Sequence, residues 1–469
     1  MSKFKHIFNP NILRAYDIRG IFNNTLSEKD AFMLGYFFGI ICREKNKGKT
    51  PNVVLSMDGR ISSPKLKEQT SIGLIKSGCN VIDLGLNPTP LLYFGNSILN
   101  TDGAIQITGS HNPKDYNGFK MIMNNEPFFG NDIQNLGKKA QKGSDISLNG
   151  KIQYKNLDDQ YLNQILKPIS CSKHLKNRTI VWDCGNGATG LIIKKITKEI
   201  PGEHIILYSE IDGNFPNHHP DPSNETNLLQ LKKEIKKRNA DFGFAFDGDG
   251  DRLGVVNSKC QLISGDILST FLAQSISKKD NPIILDIKSS QSCKDFLEKL
   301  NYKVLIWKTG HSHIKKKMKD IGSSFAGEMS GHIFFGDTYY GYDDAIYASI
   351  RFLSLIENGI ELDNFLSNFK TTFSTPEIKI KCSEEDKFKI VENLKIKIKK
   401  KYRLSLLNLI DGIRVDLTQG WYLIRASNTE NAIIVRIDGN TKENLVNLFD
   451  EVQALLKTEN LNINFKMSH

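Results

Sequence analysis

Phe242-Gly-Phe-Ala-Phe-Asp-Gly-Asp-Gly-Asp-Arg252 is an apolar run that breaks off into three carboxylates at alternate positions. Phe242–Phe246 carries no charge and alternates rings with small residues, which predicts a strand buried in a sheet. The segment ahead of it, Asn227–Asn239, has the apolar spacing of an amphipathic helix. A helix feeding a buried strand predicts a βαβ unit and a largely parallel sheet. Ligands of such sheets bind in the crevice beyond the carboxyl ends of the strands, so Asp247–Arg252 is expected at the functional end of its sheet.

The same alternation runs outward in both directions. Towards the N-terminus, Asn52–Met57 reads as a strand, Lys65–Ser77 as a helix, Asn80–Leu84 as a strand, and Ala104–Thr108 as a strand that enters a loop at Ser110. A second round begins with the strand Arg178–Asp183, the glycine-rich turn Cys184–Gly190, a helix over Leu191–Glu199 and the strand Ile205–Ser209. A third begins with a helix near Asp266, then the strands Ile283–Ile287, Val304–Trp307 and Ser323–Ala326, the last leading into Gly327-Glu-Met-Ser-Gly-His332. The final hundred residues differ: Glu377–Lys381, Arg403–Leu407, Ile413–Leu417, Trp421–Ala426 and Ala432–Asp438 read as strands, with one helix at Lys442–Leu456. The fold class is therefore α/β, with mixed, largely parallel sheets in three α/β domains and a C-terminal α+β domain. Polar stretches near Ser144–Gly150, Asn257–Cys260 and Ser374–Pro376 set expected boundaries of 1–150, 151–258, 259–374 and 375–469.

A chain of 469 residues is too long for one hydrophobic core. The longest apolar stretch, Ala31 to Cys42, is too short to span a bilayer, and Met1-Ser-Lys-Phe-Lys-His6 has no apolar leader. The seven cysteines are scattered with no CxxC pair, which fits reduced thiols in the cytoplasm and no zinc site. The net charge of +11 sits on lysines spread over helical faces, as in Lys232–Arg238 and Lys395–Tyr402, without a stripe or a reading element for nucleic acid. Neither a nucleic-acid partner nor a membrane is expected. A positive field does favour anionic small molecules.

Four further loops carry chemistry beside the first. Asp247, Asp249 and Asp251 also open an EF-hand pattern, but that loop needs Gly at its sixth and Glu at its twelfth position, where this chain has Arg252 and Ser258. Three carboxylates repel one another unless a cation joins them, and three ligands leave room on Mg2+ for a phosphate oxygen. Thr108-Gly-Ser-His-Asn-Pro113 sets the hydroxyl of Ser110 beside an imidazole, with Lys114 and Lys120 following, and it lacks the GxSxG elbow of an acyl hydrolase. A serine that carries a phosphoryl group fits that company. Arg425-Ala-Ser-Asn-Thr429 combines a guanidinium fork with hydroxyls and an amide, the donors a phosphate dianion needs. Lys308-Thr-Gly-His-Ser312 and Gly327–His332 each follow a strand with polar groups that can read a sugar. Cys184–Gly190 has glycines at the GxGxxG spacing, Gly185, Gly187 and Gly190, but it is not a Walker A loop, and it reads as a structural turn.

With Ala15-Tyr-Asp-Ile-Arg-Gly20 at the front, these loops in this order resemble the α-D-phosphohexomutases, and among them the bacterial phosphomannomutase/phosphoglucomutases, over essentially the whole chain. The resemblance implies four domains around a central cleft and a reversible transfer between hexose 1-phosphate and hexose 6-phosphate. It implies an active-site phosphoserine, one Mg2+, and glucose or mannose 1,6-bisphosphate as intermediate and activator. It makes Ser110 the phosphoserine and a metal ligand beside Asp247, Asp249 and Asp251. Lys120 and His111 manage the proton of the reacting hydroxyl, and Arg19 lies near the transferring phosphate. Tyr16, Arg252 and Lys288 line the centre, His311 and His332 flank the sugar, and Glu328 and Ser330 read O3 and O4. Arg425, Ser427, Asn428 and Thr429 grip the phosphate that does not react. Reading O3 and O4 tolerates either configuration at C2, hence mannose and glucose. Met329 stands where the glucosamine type usually has Gln, and Glu430 stands where many relatives have proline. Phosphoglucosamine mutase and a sugar-phosphate phosphatase are the competing readings. The resemblance is to a monomer or weak dimer acting on small hexose phosphates.

Overall fold

The structure is a computed structural model, and it describes residues 4–169, 173–277, 281–369, 373–428 and 431–464. It contains four sheets in chain order. The first runs Ile18–Ile21, Tyr116–Met123, Gly103–Ile107, Asn52–Met57, Asn80–Leu86, Ile152–Tyr154, antiparallel at its first two pairings and parallel afterwards. Period-two alternation sorts its side chains between two layers. Val53, Leu55, Ile105 and Ile107 face the helices Glu28–Lys45 and Ser63–Lys76, while Val54 and Ala104 face the helix Thr89–Leu99.

The second sheet has the order Leu262–Ile263, Leu253–Asn257, Phe242–Phe246, Thr179–Asp183, Glu203–Leu207, with two antiparallel and then two parallel pairings. Val181 and Ala245 pack under the helix Leu229–Arg238, through Leu231 and Ile235. Trp182, Phe242, Phe244 and Phe246 point the other way, into a core continuous with the first and third sheets. Phe352, on the helix Ala345–Glu357, joins the second and third units: its ring centroid lies 5.0 Å from Phe242, 5.3 Å from Phe244 and 4.9 Å from Phe271. The third sheet is Val304–Trp307, Ile283–Asp286, Phe325–Gly327, Ile333–Phe335, parallel except at the last pairing. These are mixed sheets, as the strand–helix alternation predicts, with seven parallel and six antiparallel pairings among the described residues.

The fourth sheet is antiparallel throughout and has its own core. Two helices cover it rather than one. Besides Lys442–Lys457, the segment Glu384–Lys401 is helical, N-capped by Ser383, whose hydroxyl accepts from the amide of Asp386. Its Lys395-Ile-Lys-Ile-Lys stretch alternates like a strand, but Val391, Leu394 and Ile398 keep the helical spacing and are buried, while Ile396 is 57% exposed. Arg403–Leu407, expected as a strand, forms the 3-10 turn Leu404–Leu406 before the short strand Leu407–Asn408. Among the described residues no helix is long and apolar enough to cross a membrane.

Candidate active site

The serine loop is held by a residue that the motif reading passes over. Arg60 is fully buried, and its five N–H donors all find acceptors. Nη2 donates to the carbonyls of Ser110 (2.7 Å) and Asn112 (2.6 Å), Nη1 to those of Pro113 (2.5 Å) and Tyr116 (2.9 Å), and Nε to Asp58 (3.2 Å). Asp58 in turn accepts from the Thr108 hydroxyl at 2.8 Å. This clamp keeps Ser110 in the left-handed region, at φ 49°. Its Oγ then donates to Asp247 Oδ2 (2.8 Å) and lies 3.2 Å from Nδ1 of His111. Gly248 is required where the two loops touch, since a Cβ there would lie 2.6 Å from the Ser110 carbonyl.

Asp247 Oδ1 accepts the amides of Gly250, Asp251 and Arg252 at 3.0 to 3.1 Å, folding the aspartate loop back on itself. One carboxylate oxygen from each of Asp247, Asp249 and Asp251 lies within 4.8 Å of the others, and all three residues are buried. Burial, then the charges of Asp249 and Asp251, push the Asp247 carboxyl well above the usual range. Lys120 offsets part of this charge, reaching Asp249 Oδ2 at 2.7 Å and pairing with Asp251 Oδ2. The remaining oxygens, Asp249 Oδ1 and Asp251 Oδ1, are buried with no hydrogen-bond partner among the described residues. Unsatisfied buried carboxylate oxygens are costly, so this donor set fits a hard divalent cation.

The sugar loop closes against the aspartate loop. His332 Nε2 is 3.4 Å from Asp251 Oδ1, and its Nδ1 is 3.3 Å from Glu328 Oε2 and 2.9 Å from the Ser330 hydroxyl. Burial disfavours charge on this ring, yet Asp251 and Glu328 lift its pKa to about 9. Arg252 lies alongside, its Nε 3.4 Å from His332 Nε2. Glu328 Oε1 accepts the amide of Gly310 at 2.6 Å, tying the sugar loop to Lys308–Ser312. Gly310 has φ 122°, and a Cβ there would meet the Tyr16 ring at 2.6 Å.

The N-terminal motif and the fourth domain complete the ring of contacts. Arg19 donates to Asp17 Oδ2 (2.8 Å) and to Asn112 of the serine loop (2.9 Å). The Tyr16 hydroxyl donates to the Thr309 carbonyl (2.9 Å) and accepts from Asn428 (2.5 Å). Arg425 Nε donates to Asp411 Oδ2 (3.1 Å), which also accepts the amide of Thr309 (3.2 Å). Lys288 lies 2.9 Å from Glu377, whose carboxyl it draws down to about 2. Ser427 is buried and its amide bonds the Ala432 carbonyl, while Thr429 and Glu430 lie outside the described residues. Loops from all four sheets thus meet, and every other predicted site residue lies among them. Sequence reading missed Asp58, Arg60, Asp411 and Glu377, each of which has a partner far away in the chain. Asp411 and Glu377 hold the cationic side chains that could receive phosphate.

Four domain profiles of one family match the chain in succession: phosphoglucomutase/phosphomannomutase alpha/beta/alpha domain I at residues 10–145, domain II at 159–260, domain III at 264–372 and the C-terminal domain at 377–455. The chain belongs to the phosphoglucomutase/phosphomannomutase family. It is 40% identical over 455 residues to a phosphomannomutase/phosphoglucomutase of Pseudomonas syringae pv. tomato, covering 96% of both chains. It is 36% identical to a phosphoglucomutase of Neisseria meningitidis serogroup A, covering 96% of this chain and 97% of that one. Among solved structures, a phosphoglucomutase/phosphomannomutase family protein from Burkholderia thailandensis superposes with a TM-score of 0.88 at 33% identity, covering 98% and 99% of the two chains. The four-domain α/β architecture of the family is thus the architecture of this chain.

Proposed function

We propose that this family member moves a phosphoryl group between C1 and C6 of mannose and glucose phosphates, by way of a phosphoserine at Ser110 and a hexose 1,6-bisphosphate. Hexose phosphate mutase activity comes with the family; the sugars, the carrier and the residue roles are inferred from the site. The observation that carries the reading is the bond from Ser110 Oγ to Asp247 at 2.8 Å, which joins the serine to the three buried carboxylates.

Asp247, Asp249 and Asp251 would hold Mg2+, completed by an oxygen of the phosphorylated serine. When bound, the ion would neutralise charge on the transferring phosphoryl group. In the forward half, the P–Oγ bond of phosphoserine 110 breaks and a bond forms from phosphorus to O6 of a hexose 1-phosphate. The proton leaving O6 passes to a neighbouring base, and the serine oxygen takes a proton as it is released. His111, beside Oγ, and Lys120, on Asp249 and Asp251, are the groups placed to manage those protons. The bisphosphate then turns, and its C1 phosphoryl returns to Ser110, leaving hexose 6-phosphate.

Arg19 stands beside the serine loop for the transferring phosphate, with Tyr16, Arg252 and Lys288 lining the centre. His311 and His332 flank the sugar, and Glu328 and Ser330 read O3 and O4. Arg425, Ser427, Asn428 and Thr429 grip the other phosphate. Mannose 1-phosphate, glucose 1-phosphate and glucosamine 1-phosphate, each offered with Mg2+ and trace bisphosphate, test the sugar choice. Conversion of the first two with little of the third is expected. Preference for glucosamine 1-phosphate would overturn the mannose/glucose assignment.

A further inference from the structure

Lys315, one turn after His311 on the helix His311–Ile321, is a buried cation with no place among the roles above. An ammonium has three hydrogens to donate and can accept nothing. Lys315 Nζ has three buried acceptors: Asp343 Oδ1 at 2.7 Å, the Tyr93 hydroxyl at 3.2 Å and His311 Nδ1 at 3.2 Å. The ammonium also lies 4.3 Å from the centre of the Tyr93 ring, a cation–π contact that further fixes it. The tripod is therefore saturated, and its third leg sets a condition on the imidazole. To receive an N–H from Lys315, Nδ1 must present its lone pair, and a neutral imidazole then carries its hydrogen on Nε2.

A competing arrangement exists. Asp343 Oδ2 lies 3.5 Å from the same Nδ1 and would call for a proton there. That proton would serve Asp343 Oδ2, which makes no hydrogen bond among the described residues, but the contact is longer than the 3.2 Å from Lys315. A protonated Nδ1 would also face an ammonium hydrogen head-on at 3.2 Å. Burial, followed by the charges of Lys315, Lys120 and His332, holds the His311 pKa well below its ordinary value, so the ring is neutral. Asp251 acts in the opposite sense without reversing this. His311 stacks on His332 at 5.5 Å and 19°. Its Nε2 is buried and has no hydrogen-bond partner among the described residues.

We infer that Lys315, held by Asp343 and Tyr93, is a positioning residue that fixes His311 as the Nε2–H tautomer and so makes it a hydrogen-bond donor to a substrate oxygen. The identity of that oxygen rests on the hexose phosphate reading; the tautomer belongs to the resting protein. A donor at this place favours an oxygen that can only accept, such as one on phosphate, over a group that must donate.

Long-range 1H–15N correlation of the full protein labelled with [15N]histidine reads the tautomer directly, with His311 assigned from the spectrum of His311→Gln. Wild type should show His311 with an unprotonated Nδ1 and a protonated Nε2. Lys315→Met removes the donor, so Nδ1–H should form towards Asp343 and kcat/KM should fall by about ten- to a hundredfold. Lys315→Gln returns an N–H donor and should restore the Nε2–H form. Protonation at Nδ1 in wild type, or an unchanged tautomer in Lys315→Met, would overturn the inference. If Lys315→Met does not fold, the wild-type spectrum and Lys315→Gln decide it. A wrong sugar assignment would appear as missing turnover with the resting spectrum intact. A wrong tautomer would appear in that spectrum with turnover intact.

Discussion

Arg60→Met tests whether the serine loop is held from beneath. The substitution keeps much of the apolar stem and removes every donor of the guanidinium. It leaves the carbonyls of Ser110, Asn112, Pro113 and Tyr116 without the donor that now serves them, and Asp58 without its cation. A buried acceptor left unsatisfied costs about 1–3 kcal/mol, and breaking a buried ion pair by removing one partner costs about 3–5 kcal/mol. These costs overlap, because a relaxed loop admits water, so the expected loss is about 3–5 kcal/mol in the first domain. Activity should suffer as well as folding. Ser110 occupies a left-handed conformation only while its carbonyl is anchored, and a misplacement of about 1 Å can cost about a hundredfold in rate. Urea unfolding and a coupled hexose 6-phosphate assay measure the two effects separately. The double variant Asp58→Asn/Arg60→Met should recover part of the stability by discharging the orphaned carboxylate, but not the rate. Wild-type kcat/KM in Arg60→Met would refute the clamp argument.

Asp249→Asn should lower both the rate and the Mg2+ affinity, since it removes charge from a set in which Asp249 Oδ1 has no hydrogen-bond partner among the described residues; unchanged Mg2+ dependence would contradict the donor set. Arg425→Ala should reduce kcat/KM by about ten- to a hundredfold, because charge-assisted phosphate contacts contribute about 1.5–3 kcal/mol, and the variant should need more added bisphosphate. Asp344 is buried among Tyr161, Tyr339 and the amide of Tyr347, and burial raises its pKa to about 7. The folded pKa exceeds the unfolded value of about 3.9, so its contribution is complete below about pH 4 and lost as pH rises through about 7. Asp344→Asn should flatten the fall in melting temperature between about pH 4 and pH 7; an unaltered slope would exclude Asp344 as its source.

Much of this site can be read from the chain because each functional loop directly follows an apolar strand. Phe242–Phe246 and Val304–Trp307 form strands with the expected limits, and the loops after them carry their chemistry in a contiguous run. The supporting residues have no such signature. Arg60 is 50 positions from Ser110, and Asp411 is 102 from Thr309, so only the folded sheets bring them together. Lys315 and Asp343 each look like surface charge beside other charges, Lys316 and Lys317 in one case and Asp344 in the other. The Glu384–Lys401 helix is obscured for a different reason. Its lysine-rich end, Lys395–Tyr402, reads as a helical face, but the alternating Ile and Lys also imitate a strand, and burial of Leu394 and Ile398 with exposure of Ile396 settles the helix.

The fate of the phosphorus atom tests the central claim most directly. Protein labelled with 32P on Ser110, confirmed by mass spectrometry of the phosphopeptide, is mixed with unlabelled mannose 1-phosphate and Mg2+. The label should pass first to mannose 1,6-bisphosphate and then to mannose 6-phosphate, with negligible free phosphate, and Ser110→Ala should accept no label. Release of the label mainly as inorganic phosphate, or its recovery on a residue other than Ser110, would contradict a phosphoserine mutase.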